Sequence, residues 1–221
     1  MGYEESRIEG RNAVLEAFRS GKTIDKLYVL DGCQDGPVKS ITREARKHDT
    51  IINYVAKERL DQLSETGKHQ GVIAVSAAYE YAEVEDILAA AEEKGEAPFI
   101  IILDGIEDPH NLGAIIRTAN QAGAHGVIIP KRRAVGLTPT VARTSAGAIN
   151  YTPVAKVTNI SNTMKELKDK GMWFVCADMD GTRMYDLDLT GPIGLVIGNE
   201  GEGVSPLVKK NCDMVASIPM K

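Results

Sequence analysis

Continuous apolar runs alternating with helical segments constrain the fold of this chain more than any other feature. PFIIILD (98–104), GVIIP (126–130) and IGLVIG (193–198) are apolar at almost every position. Parallel strands have this pattern because helices cover both faces of their sheet. Residues 111–123, between the first two runs, carry apolar side chains at helical spacing. The alternation predicts an α/β fold with a parallel, doubly wound sheet.

The first eighty residues show the same alternation with shorter strands. KLYVL (26–30), IINYV (51–55) and GVIAVSA (71–77) are typical of strands, and the segments 10–21 and 37–48 are typical of helices. Strands separated by helices of this length predict a small α/β domain of their own.

An acidic segment lies between these two parts of the chain. The chain has a formal net charge of −5, of which residues 80–96 hold −6, so the remainder is +1. This balance argues against a uniformly basic nucleic-acid-binding surface and leaves room for a local basic patch. We therefore expect a small α/β domain (1–78), an acidic helical linker (79–96) and a parallel-sheet domain (97–221).

Several classes of protein and site are disfavoured. No stretch approaches 18 consecutive apolar residues, so we expect no membrane span. The three cysteines are widely separated, which predicts reduced thiols in a cytoplasmic protein. The four histidines lack the spacing of metal ligands, so we expect no metal site. The glycine patterns of phosphate-binding loops and of hydrolase elbows are also missing.

The loop GNEGEG (198–203) follows one of the apolar runs and carries two carboxylates. Gly198, Gly201 and Gly203 would let the backbone approach a ligand closely and adopt positive φ, and Glu200 offers a carboxylate to an amino group or an arginine. A negative loop repels phosphates, so a dinucleotide is disfavoured. The plain alternative is a tight turn whose acids cap the helix that starts at Ser205.

The segment DPHNLGAIIRTANQAGA (108–124) follows another apolar run. Asn111 stands at a helix start and Arg117 on the polar face of that helix. Taken singly, Asn111 is an ordinary N-cap residue and Arg117 an ordinary solvated arginine.

Together with RTSAGA (143–148), GLVIGNEGEGVS (194–205) and SIPM (217–220), this segment resembles the successive motifs of the SpoU-type (TrmH-like) branch of the SPOUT RNA methyltransferases. The resemblance implies transfer of a methyl group from S-adenosylmethionine to a ribose 2′-hydroxyl, by a domain with a C-terminal trefoil knot. The front half, with IEGRNAVLEAF and KHQGVIA, resembles the L30e-like domain that binds RNA in some members. That combination implies a guanosine of large-subunit (23S) rRNA as the target and a homodimer as the assembly.

The resemblance also implies site residues. The catalytic residues would be Arg117, Asn111, Glu200 and Ser145, and the cofactor-binding residues Gly198, Asn199, Gly201, Ile218, Pro219 and Met220. In the family the arginine is the proposed activator of the ribose hydroxyl. It could act as a base assisted by a substrate phosphate, or it could orient the hydroxyl and stabilise the developing alkoxide.

Two expectations concern RNA and one concerns the end of the chain. The candidates for RNA contact are Arg143, Lys131, Arg132 and Arg133 beside the second domain's sheet edge, and Arg7, Arg11 and His69, with Lys68 and Gln70, in the first domain. The alternative for the basic segment is a solvated loop. The family's third motif continues beyond SIPM, whereas this sequence stops at Lys221, so we expect a further tail that completes the knot and the cofactor pocket.

Three other functions remain open. The resemblance also allows ribose methylation of tRNA. A second alternative is a catalytically silent RNA-binding protein that keeps the fold without a complete cofactor pocket. The third, a nucleotide-binding α/β protein unrelated to RNA, requires the motif matches to be accidental.

Overall fold

The computed structural model describes residues 7–219, which form two compact units. The first unit contains the described residues up to Glu80 and also Gly136–Pro139. The second contains Tyr81–Val135 and the chain from Thr140 onward.

The first unit is a four-stranded sheet with three helices. Its elements are β1 (Arg7–Glu9), α1 (Arg11–Arg19), β2 (Ile24–Leu30), α2 (Gly36–Lys47), β3 (Ile51–Val55), α3 (Lys57–Leu63) and β4 (Val72–Ser76). The strand order is β1-β4-β2-β3, with β2 and β3 parallel and β4 antiparallel to both of its neighbours. Strand β1 was not predicted, because three residues are too few to show a periodic pattern.

The core of the first unit lies between the sheet and helices α1 and α2. Phe18 of α1 and Ile41 of α2 are buried against Leu27 and Val29 of β2. Helix α3 packs against β2 and β4 and buries Leu60. Strand β3 lies at one edge of the sheet, and α2 packs against its core-facing side.

The carboxylate of Glu9 organises the loop between α3 and β4. It accepts hydrogen bonds from Ser64 Oγ (2.5 Å), Thr66 Oγ1 (2.6 Å) and the backbone N–H of Glu65 (2.6 Å). Burial of this carboxyl opposes its ionisation, but the hydrogen bonds prevail and lower the pKa of Glu9 to about 2. The first strand and this loop are thus joined by a charged group at neutral pH.

The second unit is built on a six-stranded sheet. Its elements are α4 (Val84–Lys94), β5 (Phe99–Asp104), α5 (Pro109–Gln121), β6 (Gly126–Pro130), α6 (Pro139–Thr144), β7 (Val154–Val157), α7 (Ile160–Asp169), β8 (Trp173–Arg183), β9 (Ile193–Gly198), α8 (Pro206–Lys210) and β10 (Met214–Ser217). Short 3₁₀ turns span Ala148–Asn150 and Met184–Asp186.

All neighbouring strands of this sheet are parallel, in the order β10-β8-β9-β5-β6-β7. Ile100 and Ile102 of β5 and Val196 of β9 are buried in the core. The predicted parallel α/β sheet is confirmed, and the continuous apolar runs are its inner strands.

The acidic segment that we expect to link the two domains contains helix α4. Ile87 and Ala91 of this helix are buried. A Cβ on Gly126, at the start of β6, would lie 2.6 Å from Ile87, so the helix packs tightly against the sheet of the second unit. Four of the segment's seven acidic residues, Glu85, Asp86, Glu92 and Glu93, therefore lie on a helix that belongs to this unit.

No helix within residues 7–219 is long and apolar enough to cross a membrane. Over the same range, no group of three His, Cys, Asp or Glu side chains is arranged to hold a metal ion. The three cysteines are free thiols.

Candidate active site

Three loops leave the second unit's sheet at its carboxyl edge. Strands β5 and β9 are neighbours and end in register, with Asp104 opposite Gly198. Strand β6 lies on the other side of β5. Because the strands are parallel, the loops 105–108, 131–135 and 199–205 start from the same edge. Open α/β sheets bind their ligands at this edge.

The glycine loop closes on itself. The backbone N–H of Asn199 donates to Gly203 O (3.1 Å), and the N–H of Gly203 donates back to Asn199 O (2.9 Å). The side-chain oxygen of Asn199 accepts from the N–H groups of Gly201 (2.6 Å) and Glu202 (3.1 Å). A Cβ on Gly198 would lie 2.1 Å from the backbone of Gly203, so only glycine fits there. Asn199 therefore holds the shape of the loop.

The same loop is fastened to the end of β5 at two points. Asn199 Nδ2 donates to Gly105 O (3.3 Å), and the N–H of Ser205 donates to Asp104 Oδ2 (2.8 Å). The two loops are therefore fixed relative to each other. Sequence reasoning did not select Asp104, although an acid that ends an apolar strand and precedes a glycine was a usable signal.

Asn111 and Glu200 connect α5 to the glycine loop. Asn111 Nδ2 donates to Glu200 Oε1 (2.5 Å). The interpretation of Asn111 as an N-cap residue is wrong, because Asp108 caps α5 by accepting from His110 N (2.7 Å) and Pro109 opens the helix. Asn111 is the third helical residue, and its side chain is consequently available to Glu200.

A cleft of about 240 Å³ opens beside this pair. Its lining consists of the two loops and the start of α5: Gly105, Ile106, Glu107, Asp108, Asn111, Asn199, Glu200 and Gly201. Three of these side chains are carboxylates, and no lysine or arginine is among them. The cleft is therefore better suited to a cationic ligand than to a phosphate.

Arg117 lies on α5, six residues after Asn111, and its side chain is exposed. It forms no hydrogen bond or ion pair with any residue in the described range 7–219. Its guanidinium can therefore bind a ligand without giving up a protein partner.

The segment RTSAGA packs closely against the first turn of α5. A Cβ on Gly113 would lie 1.8 Å from Thr144 Oγ1, and this hydroxyl also lies 3.2 Å from Pro109 O. Ser145 is fully buried and donates its hydroxyl to Ala142 O (2.9 Å). Ser145 thus supports the helix that carries Asn111, and its buried hydroxyl is not open to a ligand. Sequence reasoning missed Thr144, which makes the contact.

The basic segment 131–133 lies beside the same loops. The N–H of Val135 donates to Ile106 O (2.9 Å), which ties this segment to the loop after β5. Lys131 is partly buried, whereas the two arginines that follow it are exposed. Arg143 is also exposed and donates to Thr140 Oγ1 (3.1 Å). The structure therefore places the two exposed arginines of the segment near the cleft.

Two arginines that we expected to contact RNA are engaged within the first unit. Arg11 Nη2 lies 2.6 Å from Asp35 Oδ2, and Arg11 Nε donates to Gln70 O (3.1 Å). Arg7 Nη1 donates to Leu63 O (2.9 Å). Both side chains hold loops together, so an RNA contact would compete with existing partners.

His69 is likewise part of the first unit's framework. Its side chain is buried, with Nε2 2.9 Å from Asp61 Oδ1, and Nδ1 accepts from Gly71 N (3.0 Å). Since Nδ1 accepts, Nε2 carries the proton and donates to the carboxylate. Both ring nitrogens are used, so the expected RNA contact by this ring is not supported by its position. The adjacent Lys68 is exposed.

The other proposed cofactor-binding residues lie near β10, the outermost strand on one side of the sheet. Ile218 and Pro219 follow β10 and are exposed, and Met220 lies outside the described residues. Lys209 Nζ lies 2.6 Å from Asp178 Oδ2 on β8, the strand that separates β10 from β9. The hydrogen bond from Lys209 lowers the pKa of Asp178, and the same bond raises the pKa of Lys209.

Comparison with known families explains this arrangement. Residues 98–221, more than half of the chain, match the SpoU rRNA Methylase family. The chain belongs to the SpoU rRNA methylase family. Residues 7–82 match a second family model, described as RNA 2'-O ribose methyltransferase substrate binding.

Relatives of this SpoU-family protein match along its whole length. The "Putative TrmH family tRNA/rRNA methyltransferase YacO" of Bacillus subtilis (strain 168) is 48% identical over 221 residues, covering 100% of this chain and 88% of that protein. A relative of the same family name in Staphylococcus aureus (strain MRSA252) is 44% identical over 218 residues, covering 98% of this chain and 88% of the relative.

Solved structures have the same fold. The SpoU methyltransferase AviRb from Streptomyces viridochromogenes, in complex with the cofactor AdoMet, is 25% identical with a TM-score of 0.58, covering 97% of this chain and 81% of that one. An AdoMet-bound rRNA methyltransferase from Sinorhizobium meliloti is 22% identical with a TM-score of 0.57, covering 97% of this chain and 78% of that one. The second likeness concerns the fold alone.

The SpoU-family protein is therefore an RNA methyltransferase that uses S-adenosylmethionine. Two features of the site fit this cofactor. The sulfonium and amino groups of the cofactor are cationic, in agreement with the carboxylate-lined cleft, and the glycine loop presents backbone at the strand ends without bulky side chains. The predicted family and cofactor are confirmed.

Proposed function

We propose that this protein methylates a ribose 2′-hydroxyl in RNA, on a guanosine of the large-subunit (23S) rRNA. The observation that carries the proposal is an exposed Arg117, without a side-chain partner among residues 7–219, on the helix that presents Asn111 to Glu200. The match of residues 7–82 to a ribose-methyltransferase substrate-binding domain supports the 2′-hydroxyl as the acceptor.

The protein residues have separate roles in this proposal. S-adenosylmethionine supplies an electrophilic methyl group when it is bound. The backbone of Gly198 and Gly201, together with Ile218 and the residues that follow it, would hold the cofactor. Asn199 contributes by fixing the glycine loop, and the Glu200 carboxylate holds Asn111 in place.

Arg117 would act on the acceptor hydroxyl. A guanidinium keeps its proton at any physiological pH, so it is a poor general base. It can orient the hydroxyl and stabilise negative charge that develops on the ribose oxygen while a phosphate of the RNA or a water molecule accepts the hydroxyl proton; this stabilisation is strong when the donor is preorganised. Because Arg117 has no partner in the described chain, this contact requires no protein ion pair to break.

The exposed arginines near the cleft would bind the RNA backbone. Arg132 and Arg133 are exposed beside the loop that lines the cleft, and Arg143 is exposed on α6. Each phosphate contact adds a salt-dependent contribution to affinity. We also propose that the enzyme acts in the cytoplasm as a homodimer formed through its second unit, which sedimentation equilibrium would test.

Transfer of radiolabelled methyl groups from S-adenosylmethionine tests the function. Unmodified large-subunit rRNA and bulk tRNA are offered separately, and the labelled nucleosides are identified after digestion. We expect the label in 2′-O-methylguanosine of the rRNA. Label in tRNA alone would replace the substrate, and no label on either RNA from active cofactor-binding protein would favour the silent RNA-binding alternative.

Arg117→Ala tests the role of the free guanidinium. We expect kcat/KM to fall by at least about tenfold, equivalent to about 1.4 kcal/mol of transition-state stabilisation, with cofactor affinity unchanged. Arg19→Ala is the matched control, because Arg19 is an exposed arginine on a helix of the first unit. Retention of more than about a tenth of wild-type turnover by Arg117→Ala contradicts the role given to Arg117.

A further inference from the structure

A second groove, outside the candidate active site, lies in the first unit between α2 and the end of the edge strand β3. It encloses about 550 Å³, a size typical of small-ligand sites. Its lining comes from the loop 31–34, from one face of α2 and from β3: Asp31, Gly32, Cys33, Gln34, Val38, Lys39, Thr42, Arg46 and Tyr54. None of these residues belongs to the candidate active site.

An aromatic ring forms one wall of the groove. Tyr54 is 52% exposed, and its hydroxyl makes no hydrogen bond within the described chain. Ile52 and Tyr54 are two residues apart on β3, so both side chains project toward the face covered by α2. An exposed aromatic ring in a groove is a platform on which a nucleic-acid base can stack.

Cations stand along the opposite wall. Helix α2 and its cap (36–48) carry four basic residues and one acid, a net charge of +3 in a chain of net charge −5. Lys39 and Arg46 line the groove and lie two turns apart, about 10.5 Å along the helix axis. Neither side chain forms an ion pair or hydrogen bond with any residue that the structure describes, so both can bind phosphate without breaking a protein contact.

Asp31 marks the other end of the groove. Its N–H donates to Val55 O (2.9 Å), which places it next to Tyr54. One carboxylate oxygen accepts from Gly32 N (2.9 Å), and the exposed carboxylate has further acceptor capacity. A carboxylate repels phosphate and accepts hydrogen bonds from an exocyclic amino group on a base.

We propose that this groove binds one unpaired nucleotide of the RNA, with its base on Tyr54, its amino group at Asp31 and its flanking phosphates at Lys39 and Arg46. The inference rests on the assignment of RNA as the substrate and adds a binding site for a single-stranded nucleotide with an amino-bearing base. Such a site selects an unpaired segment, because a base within a duplex cannot reach an aromatic platform.

Binding of a fluorescein-labelled oligo(C)12 to the full chain, without cofactor, tests the site. Tyr54→Ala should weaken binding by about 5- to 100-fold, the effect of losing one base–aromatic stack, whereas Tyr54→Phe should stay within about twofold. Oligo(U)12 lacks the amino group and should bind more weakly than oligo(C)12. Asp31→Ala should remove that preference.

The dependence of binding on salt tests the two cations. Single-stranded nucleic acid gives a slope of about −0.7 per phosphate contact, so the double variant Lys39→Gln/Arg46→Gln should reduce the slope by about 1.4. Lys22→Gln/Lys57→Gln removes the same charge outside the groove and should keep the wild-type slope. If both double variants behave alike, the groove contributes only general charge and the proposal is wrong.

The outcomes separate this proposal from the proposed function. If Tyr54→Ala binds the oligonucleotide as the wild type does and the wild type methylates RNA, the proposed nucleotide site in the groove is wrong and the proposed function stands. If Tyr54→Ala binds the oligonucleotide more weakly and the wild type methylates no RNA, the proposed nucleotide site is supported and the proposed function is wrong. Equal displacement of oligo(C)12 by polyglutamate would show a site for acidic chains in general, which also contradicts a nucleotide site.

Discussion

Replacing Gly113 by alanine tests whether close packing beneath α5 supports the active site. The added Cβ would lie 1.8 Å from Thr144 Oγ1, 2.7 Å from Thr144 Cβ and 3.0 Å from Ser145 N. Rotation of the threonine hydroxyl relieves only the first contact, so the backbone segments must separate. Overpacking of this kind costs about 1–3 kcal/mol, and the better helix propensity of alanine returns up to about 1 kcal/mol. We expect a net destabilisation of about 2 kcal/mol.

Urea unfolding measures this change through the fluorescence of Trp173, the single tryptophan, which lies in the second unit. With a typical slope of about 2 kcal/mol per molar, the midpoint should fall by about 1 M. Methyl transfer should fall by at least about tenfold, because the same displacement moves Asn111 and small misplacements strongly reduce rate.

Gly36→Ala is the matched control. Gly36 opens α2, has no positive φ, and a Cβ there meets nothing within 4 Å. This variant should match the wild type in both measurements. The double variant Gly113→Ala/Thr144→Gly should recover part of the lost stability. Wild-type midpoint and turnover in Gly113→Ala would refute the proposed support of α5.

Three further predictions concern other parts of the chain. Glu9→Gln should lower the free energy of unfolding by about 1–3 kcal/mol at pH 7 in urea titrations. Because the pKa of Glu9 falls from 4.5 to about 2 on folding, the difference in stability between wild type and variant should have its full size above about pH 4.5 and should shrink as the pH falls toward 2. Burial raises the pKa of Cys212 to about 12, so iodoacetamide at pH 8 should label Cys33 before Cys212 in native protein, by peptide mass spectrometry. Asn199→Ala removes the bonds that hold the glycine loop and should weaken S-adenosylmethionine binding by about tenfold or more in calorimetry, without changing the unfolding midpoint by more than about 0.5 M.

The fold could be predicted well from the sequence because its inner strands are short, continuous apolar runs. Strands β5, β6 and β9 lie where those runs predicted them, and the order of runs and helices indicated a parallel sheet. Strand β1 was missed since three residues carry no periodicity. Strand β8 extends to Arg183, well past the apolar run that revealed it, because its second half pairs with β10 and is exposed.

The candidate site was only partly predictable. Motif order located the glycine loop and Asn111, but the N-cap of α5 was misassigned because Asp108 and Asn111 are both good capping residues. The supporting contacts of Asp104 and Thr144 join segments about 100 and 30 residues apart. Such contacts depend on how the loops meet, so a local pattern can mark Asp104 as a candidate but does not identify its partner.

The basic residues differ in how many hydrogen bonds and ion pairs their side chains already make within the protein. Those with no such partner can bind RNA without breaking a protein contact. Arg11 already bonds Asp35 and Gln70 O, so a phosphate would have to replace two charge-assisted contacts. Arg117 and Arg46 have no such partners in residues 7–219, and they lose mainly side-chain freedom on binding, about 0.5–1.5 kcal/mol each. For an arginine, an unpaired guanidinium beside a cleft or groove is therefore stronger evidence of RNA contact than the position of the residue in a family motif. On this reasoning, charge-neutralising variants of Arg117 and Arg46 should alter methyl transfer and RNA affinity respectively, whereas Arg11→Gln should first alter the stability of the first unit.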